Sequence, residues 1–272
     1  AGNPTSTAFE LNGKLDQVRI FPTALTAANV TSLYNEVQCA PTIVPSQNFN
    51  ANTYFGNGAT QTIDAKFNEA ANFNGSSSYI TTGLTLPADS TMTFSFWFKW
   101  TSNQPNSGDV YLLSDLDSSA AGNRIDIRIA QSFSNQIYID IGNGSSRDNK
   151  ATGFSPAVDT WYNLVVTLNG TAVVMYINGT EEVSYTSSVA FGTAGADPIV
   201  LGRAGAFNCC NLKCSIDQLR IFNTTLPATG TASVATLYAE TTTTAATLDF
   251  PVGAGCIAAY ELDGNADDIS GL

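Results

Sequence analysis

The chain has 272 residues, enough for one large β domain or two ordinary ones. Charged residues are 12% of it, and 23 acidic against 11 basic give a net charge of −12, which excludes the basic face that a nucleic-acid backbone demands. There is no histidine, so Ser-His-Asp and Cys-His nucleophile systems and histidine-ligated metals are excluded too. No apolar run approaches the roughly 20 residues of a spanning helix.

In chain order, the first legible element is KLDQVRIF at residues 14–21, followed by LYNE at 33–36. Both return later, as SIDQLRIF at 215–222 and LYAE at 237–240. A weaker match aligns residues 54–63 with 260–269, keeping Tyr, Gly and Ile. Three matches at nearly one offset indicate a tandem repeat. Residues 1–36 then read as the tail of one copy, 37–49 as a linker and 50–240 as a complete copy. Residues 241–255 form a second linker, and 256–272 are the head of a third copy. The opening Ala1-Gly2-Asn3-Pro4 is polar, unlike a secretory leader. The expectation is a piece of a longer array, or a chain whose missing strands come from neighbouring chains.

Within the complete copy the pattern is β throughout. Phe94, Phe96, Phe98 and Trp100 share one face of a strand. Ile125, Ile127 and Ile129 alternate with Asp126 and Arg128, and after Ser134-Asn135 the isoleucines 137, 139 and 141 alternate again, which predicts a hairpin. Residues 161–185 read as a meander turning at Asn169-Gly170 and at Asn178-Gly179, because Asn-Gly suits a two-residue type I′ turn. Residues 199–201 form a short buried strand and 215–222 the closing strand. Val234 and Leu237, three apart, carry the one helical hint. Many short strands at regular spacing predict an all-β, two-sheet antiparallel jelly roll, with Phe94, Phe96, Phe98 and Trp161 between the sheets.

Particular segments sharpen this. ANFNGSSSYI at 71–80 precedes the aromatic strand, WYNLVV at 161–166 leads to MYING at 175–179, and IVLGR at 199–203 and IDQLRIF at 216–222 follow in order. The set resembles the laminin-G-like, concanavalin A-like jelly-roll family, over roughly residues 50–240, with both flanking pieces similar to the same family. The resemblance implies a concanavalin A-like sandwich flanked by partial copies, as in bacterial or phage surface fibre proteins. It does not single out a function, because the family spans lectins, adhesion modules, virion fibres and glycanases.

Glycanases on such a fold place paired carboxylates on one strand. Asp126 and Asp140 are each alone among isoleucines and read as solvated outward-facing groups, so no catalytic residue is assigned and the chain is read as a non-enzyme. Asp263, Asn265, Asp267 and Asp268 put oxygen-bearing side chains within six residues, a candidate calcium loop. The equivalent stretch near Asn57 has lost every carboxylate. The cysteines are Cys39, Cys209, Cys210, Cys214 and Cys256; without histidine, disulfides fit an exported protein better than zinc. Adjacent Cys209 and Cys210 rarely pair with each other, so one is expected to close a loop to Cys214 and the other to reach Cys39, with the partner of Cys256 in the next copy. Asn29, Asn74, Asn143, Asn169, Asn178 and Asn223 each open an Asn-x-Ser/Thr triplet, a glycosylation acceptor where the host has the machinery. Tyr111, Tyr138, Asn143 and Arg203 are the candidate glycan contacts. The leading expectation is an extracellular structural or adhesive protein on a cell or virion surface. It would self-associate head to tail into a fibre, filament or virion appendage. The alternative is a lectin-like module recognising cell-surface glycans.

Overall fold

Residues 26–27, 58–87, 90–101, 104, 107–115, 124–191, 198–205, 209–241, 250–251 and 253–263 are described by the computed structural model. The chain divides into two units, Ala1–Asn48 and Phe49–Leu272. Of the first, Thr26 and Ala27 alone are described, so the expected repeat tail, Asn29 and Cys39 lie outside the described residues.

The second unit is a sandwich of antiparallel strands, as the alternation predicts. Its strands are β1 (Thr60–Thr62), β2 (Ala70–Asn74), β3 (Ile80–Thr85), β4 (Thr91–Trp100), β5 (Asp109–Ser114), β6 (Arg124–Ala130) and β7 (Gln136–Gly142). There follow β8 (Arg147–Ala151), β9 (Trp161–Asn169), β10 (Ala172–Ile177), β11 (Thr180–Thr186), β12 (Pro198–Leu201), β13 (Lys213–Phe222), a short helix α1 (Val234–Tyr238) and β14 (Cys256–Tyr260). One sheet runs β1-β2-β13-β4-β9-β10-β11, with β14 also on β13; the other runs β3-β12-β5-β6-β7-β8.

Between the sheets lie Phe94, Phe96, Phe98 and Trp100 from β4 and the six isoleucines of β6 and β7. Leu164, Val166 and Leu168 from β9 join them. Trp161 does not. It is half-buried on the opposite face of its strand, with Phe67 and Trp97. Alternation along β9 accounts for this, since Trp161 shares the face of Asn163 and Val165 rather than that of Leu164, Val166 and Leu168, and Val165 packs outward with Tyr176, Phe222, Val234 and Leu237. The middle of the larger sheet's outer face is thus covered, while most of β11 stays exposed. The first turn of the meander also shifts by one residue: Asn169 pairs with Ala172, so Gly170 and Thr171 make the turn. Asn178-Gly179 turns as predicted, with φ of 51° and 76°.

The sandwich does not stop at residue 240. The N-terminal half of β13 pairs with β2, from Lys213 to Ile216, and its C-terminal half pairs with β14, from Leu219 to Phe222. An irregularity between Asp217 and Arg220 separates the halves, and Gln218 has φ 53° there. Ala258, Tyr260 and Leu262 enter the main core.

Candidate functional site

The outer face of the six-stranded sheet carries a set of aromatic and charged side chains. Inward isoleucines oblige their neighbours to point out. Register then lines these up in two rungs. Tyr111 of β5 lies opposite Arg128 of β6, which lies opposite Tyr138 of β7. Ser114 of β5 lies opposite Asp126, which lies opposite Asp140.

Arg128 ties the rungs together. Its Nε donates to Asp140 at 2.8 Å and its Nη1 to Asp109 at 2.6 Å. Its guanidinium carbon sits 4.6 Å from the Tyr138 ring centroid. Burial works against the charge, but the hydrogen bond and charge of Asp140, with Asp109 and Tyr111, outweigh it and raise the pKa. Ser114 Oγ donates to Asp126 at 2.8 Å and accepts from the Gly205 amide at 3.2 Å. Asp126 and Asp140 are therefore not solvated, as their isolation in sequence suggested. They are 0% and 1% exposed, face each other across adjacent strands, and are held by Ser114 and Arg128.

Phe133 stands at the edge of this face. It closes the short 3-10 turn Gln131–Phe133 between β6 and β7, is 60% exposed, and lies 5.9 Å from the Tyr138 ring. Gln131 anchors the turn by donating to Gly108 O at 2.7 Å. Sequence reading missed Arg128, Asp109 and Phe133. The signal for Phe133 was a large apolar residue among Ser132, Ser134 and Asn135, where a turn has no core to fill.

The expected contacts separate. Tyr111 and Tyr138 share a rung. Arg203 stacks on Tyr79, 3.3 Å from its centroid, on the loop after β12. Asn143 caps the β7–β8 turn, accepting from the Ser145 and Ser146 amides. Asn74 does the same for Ser76, Ser77 and Ser78, and Asn178 accepts from the Asn163 amide. Asn143 and Asn74 thus serve their own turns, and Asn178 ties its turn to β9. Asn169 and Asn223 are exposed.

The cysteine expectation is corrected. Cys209 and Cys210 form a disulfide with each other, with Cα atoms 3.8 Å apart. Cys214 cannot close a loop to either, because its inward position on β13 buries it fully as a free thiol, and burial pushes that thiol well up. Cys256 donates its Sγ to Ala258 O. The bonded pair flanks the candidate face: the Tyr111 amide donates to Cys210 O at 3.2 Å, and the Ala204 amide to Cys209 O at 3.2 Å.

Of the candidate calcium ligands, Asp263 is described; Asn265, Asp267 and Asp268 lie outside the described residues. Asp263 accepts from Asn68 Nδ2 at 2.9 Å and from the Glu69 amide at 3.2 Å. Burial pushes its carboxyl up to about 6, against those two donors, and Glu261 and Glu69 add to the rise. Among the described residues no group of three or more Cys, Asp or Glu side chains gathers as a metal site would require.

Residues 74–230 match the family described as the concanavalin A-like lectin/glucanases superfamily, by its laminin G model. The chain belongs to that family. No curated protein matches it in sequence. Among solved structures, domain 4 of AbnA, a GH43 extracellular arabinanase from Geobacillus stearothermophilus, in complex with arabinotriose, is similar at 23% identity and TM-score 0.53, over 67% of this chain and 82% of that one. The binding domain of Paraclostridial Mosquitocidal Protein 1 is similar at 16% identity and TM-score 0.53, over 66% of this chain and 45% of that one. At these identities the likeness is one of fold. No helix among the described residues is long and apolar enough to cross a membrane.

Proposed function

We propose that the chain is a non-catalytic carbohydrate-recognition module of the cell or virion surface, reading its glycan on the outer face of the six-stranded sheet. One observation carries this reading: exposed Phe133 stands beside Tyr138, which is backed by Arg128, itself paired with Asp109. Flat rings cover the apolar face of a sugar, and a fixed carboxylate beside them takes its hydroxyls. Membership of a family that includes lectins supports it, and the arabinotriose held by the Geobacillus domain supplies the first ligand to try. Calorimetric titration with arabinotriose, beside a glycan array with and without EDTA, tests the reading. Phe133→Ala should weaken binding at least about tenfold, a loss of about 1.4 kcal/mol, with an unchanged melting temperature. An array on which the native chain binds nothing would sink it. Melting in EDTA tests the calcium loop of Asp263, Asn265, Asp267 and Asp268, since a structural ion stabilises by mass action.

The module also serves as one of a series of related copies in an adhesive fibre, filament or appendage that associates head to tail. The repeat favours this reading. In the complete copy Asp217, Arg220, Tyr238 and Glu240 seal the covered face: Asp217 accepts from the Lys66 and Phe67 amides, Arg220 pairs with Glu240, and Tyr238 stacks on Trp97. The same residue types recur as Asp16, Arg19, Tyr34 and Glu36.

A further inference from the structure

By sequence, β14 opens a further copy of the repeat, since Tyr260 and the residues after it match Tyr54 and those after it. By position it closes the sandwich that precedes it. Cys256, Ala258, Ala259 and Tyr260 pair with Phe222, Ile221, Arg220 and Leu219. Ala258, Tyr260 and Leu262 are at most 2% exposed within the main core. Without them the C-terminal half of β13 would present open backbone groups above an uncovered core.

The groove that receives β14 is shaped for it. A Cβ on Gly255 would come within 2.7 Å of Asn223 Oδ1 and 3.2 Å of Thr224 Cγ2, so the chain must enter there on a glycine. The Asn223 amide donates to Gly255 O at 3.1 Å, and Thr224 Oγ1 donates to Ala254 O at 2.6 Å. At the other end Asp263 is clamped by Asn68 and Glu69. Residues 50–54, at the equivalent place upstream, offer Asn52 where β14 has Ala258, a poor fit to a dry inward position.

We propose that β14 is a joining strand, and that a second copy of this chain docks by laying its own Cys256–Tyr260 into the groove beside Leu219–Phe222. The inference rests on the reading of the chain as one of a series of copies, and it names the segment that joins them. Residues 239–255 join the strand to α1 in sequence, and pairing within one chain or between two makes the same contacts. Effective concentration therefore decides between them, and exchange closes as a dimer when it is mutual or continues as an open series when each chain passes its strand to the next.

The test uses the full chain carrying Ala258→Asp, which disables its own strand, and a fluorescein-labelled peptide of residues 253–263. The peptide should bind this variant saturably and raise its melting temperature. It should bind the native chain, whose groove is filled, at least tenfold more weakly, and a peptide carrying Ala258→Asp should not bind. A folded variant that ignores the native peptide overturns the proposal. Where Ala258→Asp fails to fold, the native chain is incubated near its melting midpoint at rising concentration, cooled and sedimented. Dimers and longer species support exchange, and a lone monomer at every concentration overturns it. Glycan binding is read separately, so either result leaves the carbohydrate reading where its own titration puts it.

Discussion

Arg220 and Glu240 form an ion pair almost without water, their side chains 3% and 1% exposed and 2.5 Å apart. Such a pair contributes little net stability as a unit, yet either charge alone in that place is costly. Glu240→Leu should therefore destabilise by about 3–5 kcal/mol, while Arg220→Met with Glu240→Leu should recover most of the loss. Urea unfolding of both variants checks this, and a double variant no more stable than the single one would refute it. Sequence displayed both residues as repeated motifs but not their meeting, since nothing in SIDQLRIF or LYAE states that one folds back over the other. The same gap explains Asp126 and Asp140. Their own strands show no carboxylate partner, and the neighbour that matters lies across the sheet. Cys209 and Cys210 were misjudged for a different reason: the bond depends on a local backbone turn, with Cys210 at φ 63°, that a residue string does not carry.

Elements were more legible than contacts. Isoleucine alternation located β6 and β7 because one of their faces is apolar and the other polar. The expectation for Trp161 fails because it puts size and aromaticity above alternation, which places Trp161 on the face of Asn163, Val165 and Thr167. The β10–β11 turn joins these scales. Gly179 has φ 76°, and a Cβ there would meet Tyr238 of α1 at 3.0–3.2 Å. Gly179→Ala should thus strain the turn and push α1 outward, costing about 2 kcal/mol. Thermal unfolding gives the loss, and Tyr238 fluorescence reports whether its stacking on Trp97, at 5.9 Å, has loosened. An unchanged midpoint would mean that α1 does not hold the turn.

Across the whole molecule the net charge of −12 is unevenly placed. Carboxyls gather where β14 meets β13. Burial raises Asp217 well above its ordinary range, against the Phe67 amide, and raises Glu261, against Arg220; Asp263 goes from 3.8 to about 6. Between about pH 4 and 6 the folded chain keeps protons that the unfolded chain has released, so stability should be greatest near pH 4 and fall as pH rises to about 6. Asp148 has the opposite sign. Burial would raise it, but the Ser188 amide and its neighbours lower it, so its effect lies below 3.8 and leaves this window alone. Urea midpoints from pH 4 to 7 should fall, and Asp263→Asn should flatten part of the slope. A rising midpoint would contradict the assignment. The family pattern marked the sandwich at residues 74–230, and the repeat suggested an end at 240. Neither showed that the core runs on to Leu262, because the closing strand resembles a beginning.

Among the described strands of this sandwich, the closing strand is made after all the others. Strand β13 is complete at Phe222, but Leu262 follows only after residues 223–262 have been added. At roughly 5–20 residues per second this takes about 2–8 s. For that interval a nascent chain carries Leu219 and Ile221 without their cover, long compared with the microseconds to milliseconds in which local structure forms. Until residues 256–262 arrive, the nascent sandwich is thus open along one side.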